Sequence, residues 1–142
     1  TRYWRDWSSD VCSSDLAWLN GQQLELKPKD WKKFGGLIVV TDGALRKQDR
    51  LDEMIQRYKP LGHVRFRVCG AAALDLAYAA AGMYDLVVMD KTIQWWDVAV
   101  GILLIQEAGG QILGLEKGIN CVQNKHLVVG QAEFVKLTHN YI

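Results

Sequence analysis

Two aspartates at the ends of one polar loop are the residues of this chain best suited to chemistry. Asp90 follows the apolar run 86–89, and Asp97 stands where the loop gives way to a second apolar segment. An acid at such a junction is held by backbone bonds of the helix and can direct an oxygen to a hard cation such as Mg²⁺. The spacing alone favours an ordinary helix N-cap for Asp97, worth about 1 kcal/mol, and the two roles are compatible. For Asp90, a solvated loop acid beside Lys91 is an equally good interpretation.

The backbone at Gly70, Ala71 and Ala72 is a second candidate for ligand binding. These residues open an Ala-rich segment, and the free N–H groups at the start of a helix can face an anion or a hydroxyl. Asp75 lies one turn further along, and we interpret it as a structural polar contact rather than a ligand.

Three predicted elements must position these groups. The Ala-rich composition predicts a helix over 71–81, opened after Gly70 and stopped at Gly82. The continuous apolar run 86–89 is typical of a strand covered on both faces. The second helix is predicted to start at Asp97 and to end at the glycine pair 109–110.

The remaining chain alternates short strands with helices. Asn20-Gly21 predicts a hairpin turn, and 28–34 predicts a polar surface connection. Strands are predicted at 37–41, 64–68, 111–115 and 127–129, with a loop over 116–125 and helices over 46–58 and 131–141. This succession indicates an α/β fold with a mostly parallel sheet flanked by helices.

Two segments carry a resemblance to a known family. GAAALDLAYAAAG, 70–82, and WDVAVGILLIQEAGG, 96–110, occur in this order and are joined by the predicted strand. They resemble the C-terminal signature of the inositol monophosphatase family, which comprises magnesium-dependent, lithium-inhibited sugar-phosphate phosphatases. The family pattern is Gly-Ser/Thr-Ala-Ala, a strand with an acid near its end, Trp-Asp-x-Ala-Ala-Gly and Glu-Ala-Gly-Gly. The resemblance extends over roughly 17–142, although outside 70–110 it rests on the order of elements.

The resemblance assigns roles to individual residues. Asp97 matches the family's Trp-Asp metal ligand, which helps to hold the magnesium nearest the leaving-group oxygen. Ala72 matches an alanine whose backbone contacts substrate, next to Gly70 and Ala71. Asp90 falls where the family has an acid, usually Glu, that accepts a hydrogen bond from a substrate hydroxyl. Trp96 matches the family tryptophan and is expected to shield the loop that carries the ligand.

Two departures from the family pattern bear on activity and substrate. Ala71 replaces the usual Ser or Thr, so one hydroxyl near the substrate is missing. The Glu-Glu pair and the Asp-Pro-Ile/Leu-Asp-Gly-Thr motif of the family's first half do not occur in this sequence. We therefore expect 17–142 to be the C-terminal layered part of an inositol monophosphatase-like domain, with the N-terminal half missing and little or no activity alone.

The function implied by the resemblance is hydrolysis of phosphate monoesters of inositol or a related sugar by a metal-activated water, with Mg²⁺ as cofactor. Three alternatives stay open at this point: a nucleotidase acting on 3′-phosphoadenosine compounds, a histidinol-phosphate phosphatase, and a non-catalytic scaffold domain. The expected partner is a small phosphorylated metabolite, with a homodimer possible for the full-length protein.

Composition limits the other possibilities. The chain has 142 residues, 49% of them hydrophobic, and a net charge of +1, which gives no reason to expect a nucleic acid polymer or a membrane as partner. Its cysteines form no C-x-x-C pair, and a reducing cytoplasm is the expected location. Residues 1–16 have no apolar period and resemble translated sequencing-adaptor read-through, so we predict a non-native or disordered segment there.

Overall fold

The computed structural model describes residues 16–41, 52, 55–56, 58–59, 62–90, 93–113 and 126–139. The predicted helix over 46–58 falls mostly outside these residues, as do 1–15 and the predicted loop over 116–125. The strands are β1 Trp18–Leu19, β2 Gln22–Gln23, β3 Gly36–Thr41, β4 Val64–Cys69, β5 Leu86–Asp90, β6 Gln111–Leu113 and β7 His126–Gly130. Four helices have bounds within the described residues: α1 Trp31–Phe34, α2 Ala72–Ala80, α3 Trp95–Glu107 and α4 Ala132–His139.

The main sheet has the strand order β4-β3-β5-β7-β6. Strand β3 pairs in parallel with β4 and with β5, while β7 pairs antiparallel with both β5 and β6. Within this sheet β7 therefore opposes the common direction of the other strands. The prediction of an α/β fold with a mostly parallel sheet flanked by helices is confirmed, and the sheet is mixed.

Apolar clusters fill both faces of the sheet. One face packs against α2 and α3 through a cluster that includes Val87, Met89, Leu76 and Ile105. The other face packs against α4 and against Tyr58. Strand β5 is buried on both sides because its successive side chains enter the two clusters in turn. That is the physical reason for its unbroken apolar sequence.

The short hairpin confirms the turn prediction. Strands β1 and β2 pair antiparallel, and Asn20 and Gly21 between them have φ values of 52° and 77°. Two consecutive residues of positive φ are the requirement of a type I′ turn, which the Asn-Gly pair satisfies at low cost.

The segment 28–34 differs from its prediction. We expected a plain surface connection, but α1 forms a single helical turn at Trp31–Phe34. Asp30 explains it, because its carboxylate accepts a hydrogen bond from the Lys33 N–H at 3.2 Å and acts as an N-cap.

No helix in the described part of the chain is long and apolar enough to cross a membrane.

Candidate functional site

The carboxyl ends of three parallel strands bring the predicted site residues to one edge of the sheet. β4 ends at Cys69, β3 at Thr41 and β5 at Asp90, and Thr41 lies directly opposite Cys69 in the register. Helix α2 starts just after β4, and α3 starts a few residues after β5. The starts of both helices, with Gly70, Ala71, Ala72 and Asp97, therefore belong to this same edge.

The connections that leave this edge go to opposite faces of the sheet. Tyr58, in the connection from β3 to β4, packs on one face, whereas α2 and α3 cover the other. In open α/β sheets, ligands bind outside the carboxyl ends of neighbouring strands whose connections diverge in this way. The edge beyond β3 and β5 is the candidate site.

Asp97 does not cap its helix, in contrast to the prediction. The N-cap of α3 is Gln94, with φ −92° and ψ 150°, and Asp97 lies in the first turn, where its N–H donates to the Gln94 carbonyl oxygen at 3.0 Å. The helix begins earlier than predicted because Trp95 packs against the apolar cluster on this face of the sheet.

The Asp97 carboxylate is exposed, and no hydrogen bond or ion pair joins it to another side chain of the described residues. A negative charge in the first turn is also favoured by the helix dipole. This acid is therefore held by its helix and remains available to a cation.

The two adjacent tryptophans, Trp95 and Trp96, differ in exposure. Trp95 is half-buried and packs against the core, whereas the Trp96 side chain is 77% exposed. Trp96 was expected to shield the ligand loop, and because residues 91–92 of that loop lie outside the described residues, this role stays a prediction. Adjacent residues at the start of a helix point in different directions, so only one of the pair can face the core.

The start of α2 presents backbone rather than side chains. Ala71 is the N-cap, with φ −127° and ψ 87°, and it makes no side-chain capping bond. Gly70 and Ala71 are exposed, and a Cβ on Gly70 would meet no atom within 4 Å. Because the first N–H groups of a helix have no intrahelical acceptor, the approach to Ala72 is open to a ligand.

Asp90 is the last residue of β5, not the first of the loop. Its backbone pairs with His126 of β7, and its side chain lies outside the described part of the structure. The strand places it at the same edge as the starts of α2 and α3, while its predicted contact with a substrate hydroxyl stays a prediction.

Asp75 is buried, with 1% of its surface exposed, and its Oδ2 has no hydrogen-bond partner among the described residues. Burial raises the pKa of Asp75, and a hydrogen bond with the Cys69 side chain partly offsets that rise. The thiol also lies 4.0 Å from the Tyr84 hydroxyl. Burial raises the pKa of Tyr84 as well, so its phenol stays neutral.

Asp97 is the described residue best suited to bind a metal ion. They contain no group of three or more His, Cys, Asp or Glu side chains that could hold a metal ion. Asp97 by itself fits a hard divalent cation, because its oxygens are exposed and carry charge. Any complete coordination shell would need ligands from outside the described residues.

The sequence interpretation missed Asp85, a second buried acid. Its carboxylate accepts hydrogen bonds from Lys29 Nζ at 2.9 and 3.0 Å, from the Leu37 N–H at 2.8 Å and from Gln131 Nε2 at 3.2 Å. It precedes β5 and so lies at the edge of the sheet opposite the candidate site, where its role is structural. An acid directly before a fully apolar strand is the signal that could have found it.

An α/β sheet with an acid and an open helix start at its carboxyl edge defines a class of small-ligand binding folds. The model of the inositol monophosphatase family matches residues 12–141, and the chain belongs to that family. The match includes 12–16, so the predicted domain boundary at 17 stays a prediction.

Known relatives agree with this assignment. The chain is 35% identical over 124 residues to the Nus factor SuhB of Pseudomonas aeruginosa, covering 84% of this chain and 45% of that protein. It is 42% identical over 65 residues to the inositol-1-monophosphatase of Caulobacter vibrioides, covering 45% of this chain and 25% of that protein. The crystal structure of extragenic suppressor protein suhB from Bartonella henselae superposes with a TM-score of 0.68 at 28% identity, over 89% of this chain and 50% of that one. The chain thus spans about half the length of the relatives that match most of it.

Proposed function

We propose that this chain is the part of a Mg²⁺-dependent phosphatase that supplies one metal ligand, Asp97, and the substrate-facing start of α2. The observation that carries the proposal is the exposed Asp97 carboxylate at the sheet edge where α2 and α3 both begin. The proposed substrate is a phosphate monoester of inositol or a related sugar, in line with the name of the Caulobacter relative.

Each group at the edge has a distinct task in this proposal. The Asp97 carboxylate would hold the ion, and the backbone at Ala72 would contact the substrate. Asp90 accepts a hydrogen bond from a substrate hydroxyl. When bound, Mg²⁺ supplies positive charge that neutralises the phosphoryl and departing oxygens, and it lowers the pKa of the attacking water.

The rest of the catalytic set is proposed to lie outside this chain. The described residues group no further metal ligands, so we expect the 142-residue chain alone to show no turnover. Magnesium-dependent, lithium-sensitive release of phosphate by the isolated chain would contradict this expectation.

A chimera tests the activity directly. Residues 17–142 would replace the corresponding C-terminal part of the Caulobacter inositol-1-monophosphatase, and phosphate release from inositol 1-phosphate would be measured with and without Mg²⁺. We expect magnesium-dependent turnover that Asp97→Asn lowers by at least about a hundredfold, since a metal ligand is lost. The matched control is Val100→Ala, an exposed position one turn further along α3, which should leave turnover unchanged. A folded chimera in which Asp97→Asn has no effect would overturn the proposal.

The names of other relatives favour a second candidate. The proteins from Pseudomonas aeruginosa and Pasteurella multocida, whose matches cover most of this chain, are both named Nus factor SuhB. A chimera with the Pseudomonas protein would be tested for complementation of a strain that lacks it. Complementation that survives Asp97→Asn would favour a Nus-factor role, and its loss would favour the phosphatase.

The exact substrate and the oligomeric state are further parts of the proposal. Turnover of inositol 1-phosphate would be compared with that of 3′-phosphoadenosine compounds and histidinol phosphate in the active chimera. Preference for either of the latter would replace the sugar phosphate as substrate. Light scattering on the same protein would test the proposed homodimer.

A further inference from the structure

Strand β4, Val64–Cys69, lies at one edge of the main sheet. It pairs with β3 on one side, and no described strand pairs with its other side. The opposite edge of the sheet is β6, which has three residues, whereas β4 has six. A short edge strand gives little room for another chain, and a longer one exposes a row of unpaired backbone groups. The open side of β4 is therefore the place where the sheet could accept a further strand.

The backbone groups of Phe66 and Val68 face this open side. The Gly36 N–H donates to the His63 carbonyl oxygen at 2.8 Å, and the bonds of a parallel ladder then continue at every second residue of β4. The intervening Phe66 and Val68 therefore direct their N–H and C=O groups away from β3. No hydrogen bond from another described residue reaches these groups.

The two faces of β4 differ in chemistry. Phe66 packs beside Tyr58, with the ring centroids 6.3 Å apart. Because side chains alternate along a strand, Val68 shares this face, and it is 43% exposed. Arg65 and Arg67 share the other face, where both are exposed and neither forms an ion pair with a described residue. The open edge thus presents positive charge on one face and apolar surface on the other.

The two arginines disfavour a second copy of this chain at the open edge. If two β4 strands paired antiparallel about Phe66, Arg65 of each strand would lie directly opposite Arg67 of the other. Like charges in opposite positions destabilise a strand pair, and charged side chains on an edge strand hinder the association of identical chains. The same arginines favour a strand with acidic side chains at the opposite positions, because opposite charges stabilise such a pair.

We infer that the open side of β4 binds an extended polypeptide segment in which acidic and apolar residues alternate. The backbone of this segment bonds to Phe66 and Val68, its acidic side chains pair with Arg65 and Arg67, and its apolar side chains cover Val68. Addition of a strand to an open sheet edge is a general mode of peptide recognition. The inference does not depend on the proposed function, because it uses no residue of the candidate site.

Peptide binding to the 142-residue chain tests the inference. The probe is a short synthetic peptide in which Glu and Val alternate, labelled with a fluorophore for anisotropy measurements. We expect saturable binding, and the amides of Phe66 and Val68 should exchange hydrogen more slowly in the complex because their N–H groups gain acceptors. The same peptide with every Glu replaced by Lys should bind at least about tenfold more weakly.

Variants of the two arginines test the charge pairing. Arg65→Gln with Arg67→Gln should weaken binding of the Glu peptide by about fivefold or more, since two favourable cross-strand pairs are lost. Arg65→Glu with Arg67→Glu should reverse the preference in favour of the Lys peptide. Lys27→Gln with Lys136→Gln is the matched control, because it removes the same charge at exposed positions outside β4. This control should change the affinity by less than about twofold.

An N-methylated peptide tests the backbone pairing on the unchanged chain. Methylation of every Glu and Val amide keeps the side chains but removes the N–H donors, so binding should be lost. Both arginines are exposed, so their variants should fold as the original chain does, which circular dichroism checks. If those variants do not fold, the comparison of the Glu, Lys and N-methylated peptides on the original chain decides.

The inference is overturned if the Glu peptide shows no saturable binding, or if its Lys or N-methylated form binds equally well. An affinity that stays unchanged in folded Arg65 and Arg67 variants would also contradict it. Slower exchange of the Phe66 and Val68 amides with rising concentration of the chain alone would assign the edge to a second copy instead. Protection confined to the Glu peptide complex, lost on N-methylation, supports the inference.

Discussion

Gly101 of α3 lies directly against the Leu76 side chain of α2, so closely that a Cβ on Gly101 would overlap Leu76 Cβ. Both residues are buried in the cluster between the helices and the sheet. This contact lets α2 and α3 approach each other, and it thereby sets the relative placement of the two helix starts that carry Ala72 and Asp97. A glycine in mid-helix, which is unfavourable by itself, is explained by this close approach.

The helix crossing gives the first prediction. Gly101→Ala should lower the free energy of unfolding by about 1–3 kcal/mol, because the added methyl group overpacks against Leu76. Urea denaturation measures the change, with Val100→Ala as an exposed control on the same helix. The penalty should shrink when Leu76→Ala is also present, since the two sites are in contact. An additive double variant would contradict the contact.

The Asp85 network gives the second prediction. Asp85→Ala should lower the free energy of unfolding by about 2–4 kcal/mol, because the partly buried Leu37 N–H and Gln131 lose their acceptor. Lys29→Met should lower the free energy of unfolding by less than about 1 kcal/mol. The Lys29 side chain is 38% exposed, so solvent partly screens its ion pair with Asp85. Thermal or urea unfolding of the two variants, compared side by side, checks the order of the two effects. Equal losses would show that the ion pair dominates the network.

The buried acid in α2 gives the third prediction, a pH dependence. The folded pKa of Asp75 lies above the ordinary value of 3.8, so its stabilising contribution is fully present below pH 3.8 and is lost as the pH rises through the folded pKa. Asp75→Asn cannot ionise, and the original chain should therefore lose stability relative to this variant as the pH rises.

Unfolding free energies of both chains between pH 4 and pH 8 measure this effect. Val100→Ala, an exposed substitution that adds and removes no ionisable group, serves as the control and should give a constant difference. A constant difference for Asp75→Asn as well would contradict the prediction.

The exposed acid at the candidate site gives the fourth prediction. Asp97→Asn should change the free energy of unfolding by less than about 1 kcal/mol, because the carboxylate is exposed and loses only its interaction with the helix dipole. The same variant should lower magnesium-dependent turnover in the chimera by at least about a hundredfold. A large loss of stability in urea would instead assign Asp97 a structural role.

The sequence by itself determined most of the strands, the Ala-rich helix and the Trp96-Asp97 motif of the candidate site. Continuous apolar runs predicted β3 and β5, alternation predicted β4, the Asn20-Gly21 pair predicted the hairpin, and the flanking glycines predicted the Ala-rich helix, all to within a residue or two. The motif around Trp96 and Asp97 predicted the family, which the family match confirmed. These elements and motifs can be predicted from the sequence because each depends on residues that are neighbours in the chain.

Only the tertiary structure decided which acids are buried and what they bind. Asp75, Asp85 and Asp97 share one residue type, yet two are buried and one is exposed, because burial is set by elements distant in the chain. The start of α3 was misplaced for the same reason, since packing of Trp95 against the core begins the helix before the acid. The chain encodes its helices and strands locally, whereas the direction of β7 and the fit of Gly101 on Leu76 follow from contacts that form only when the sheet assembles.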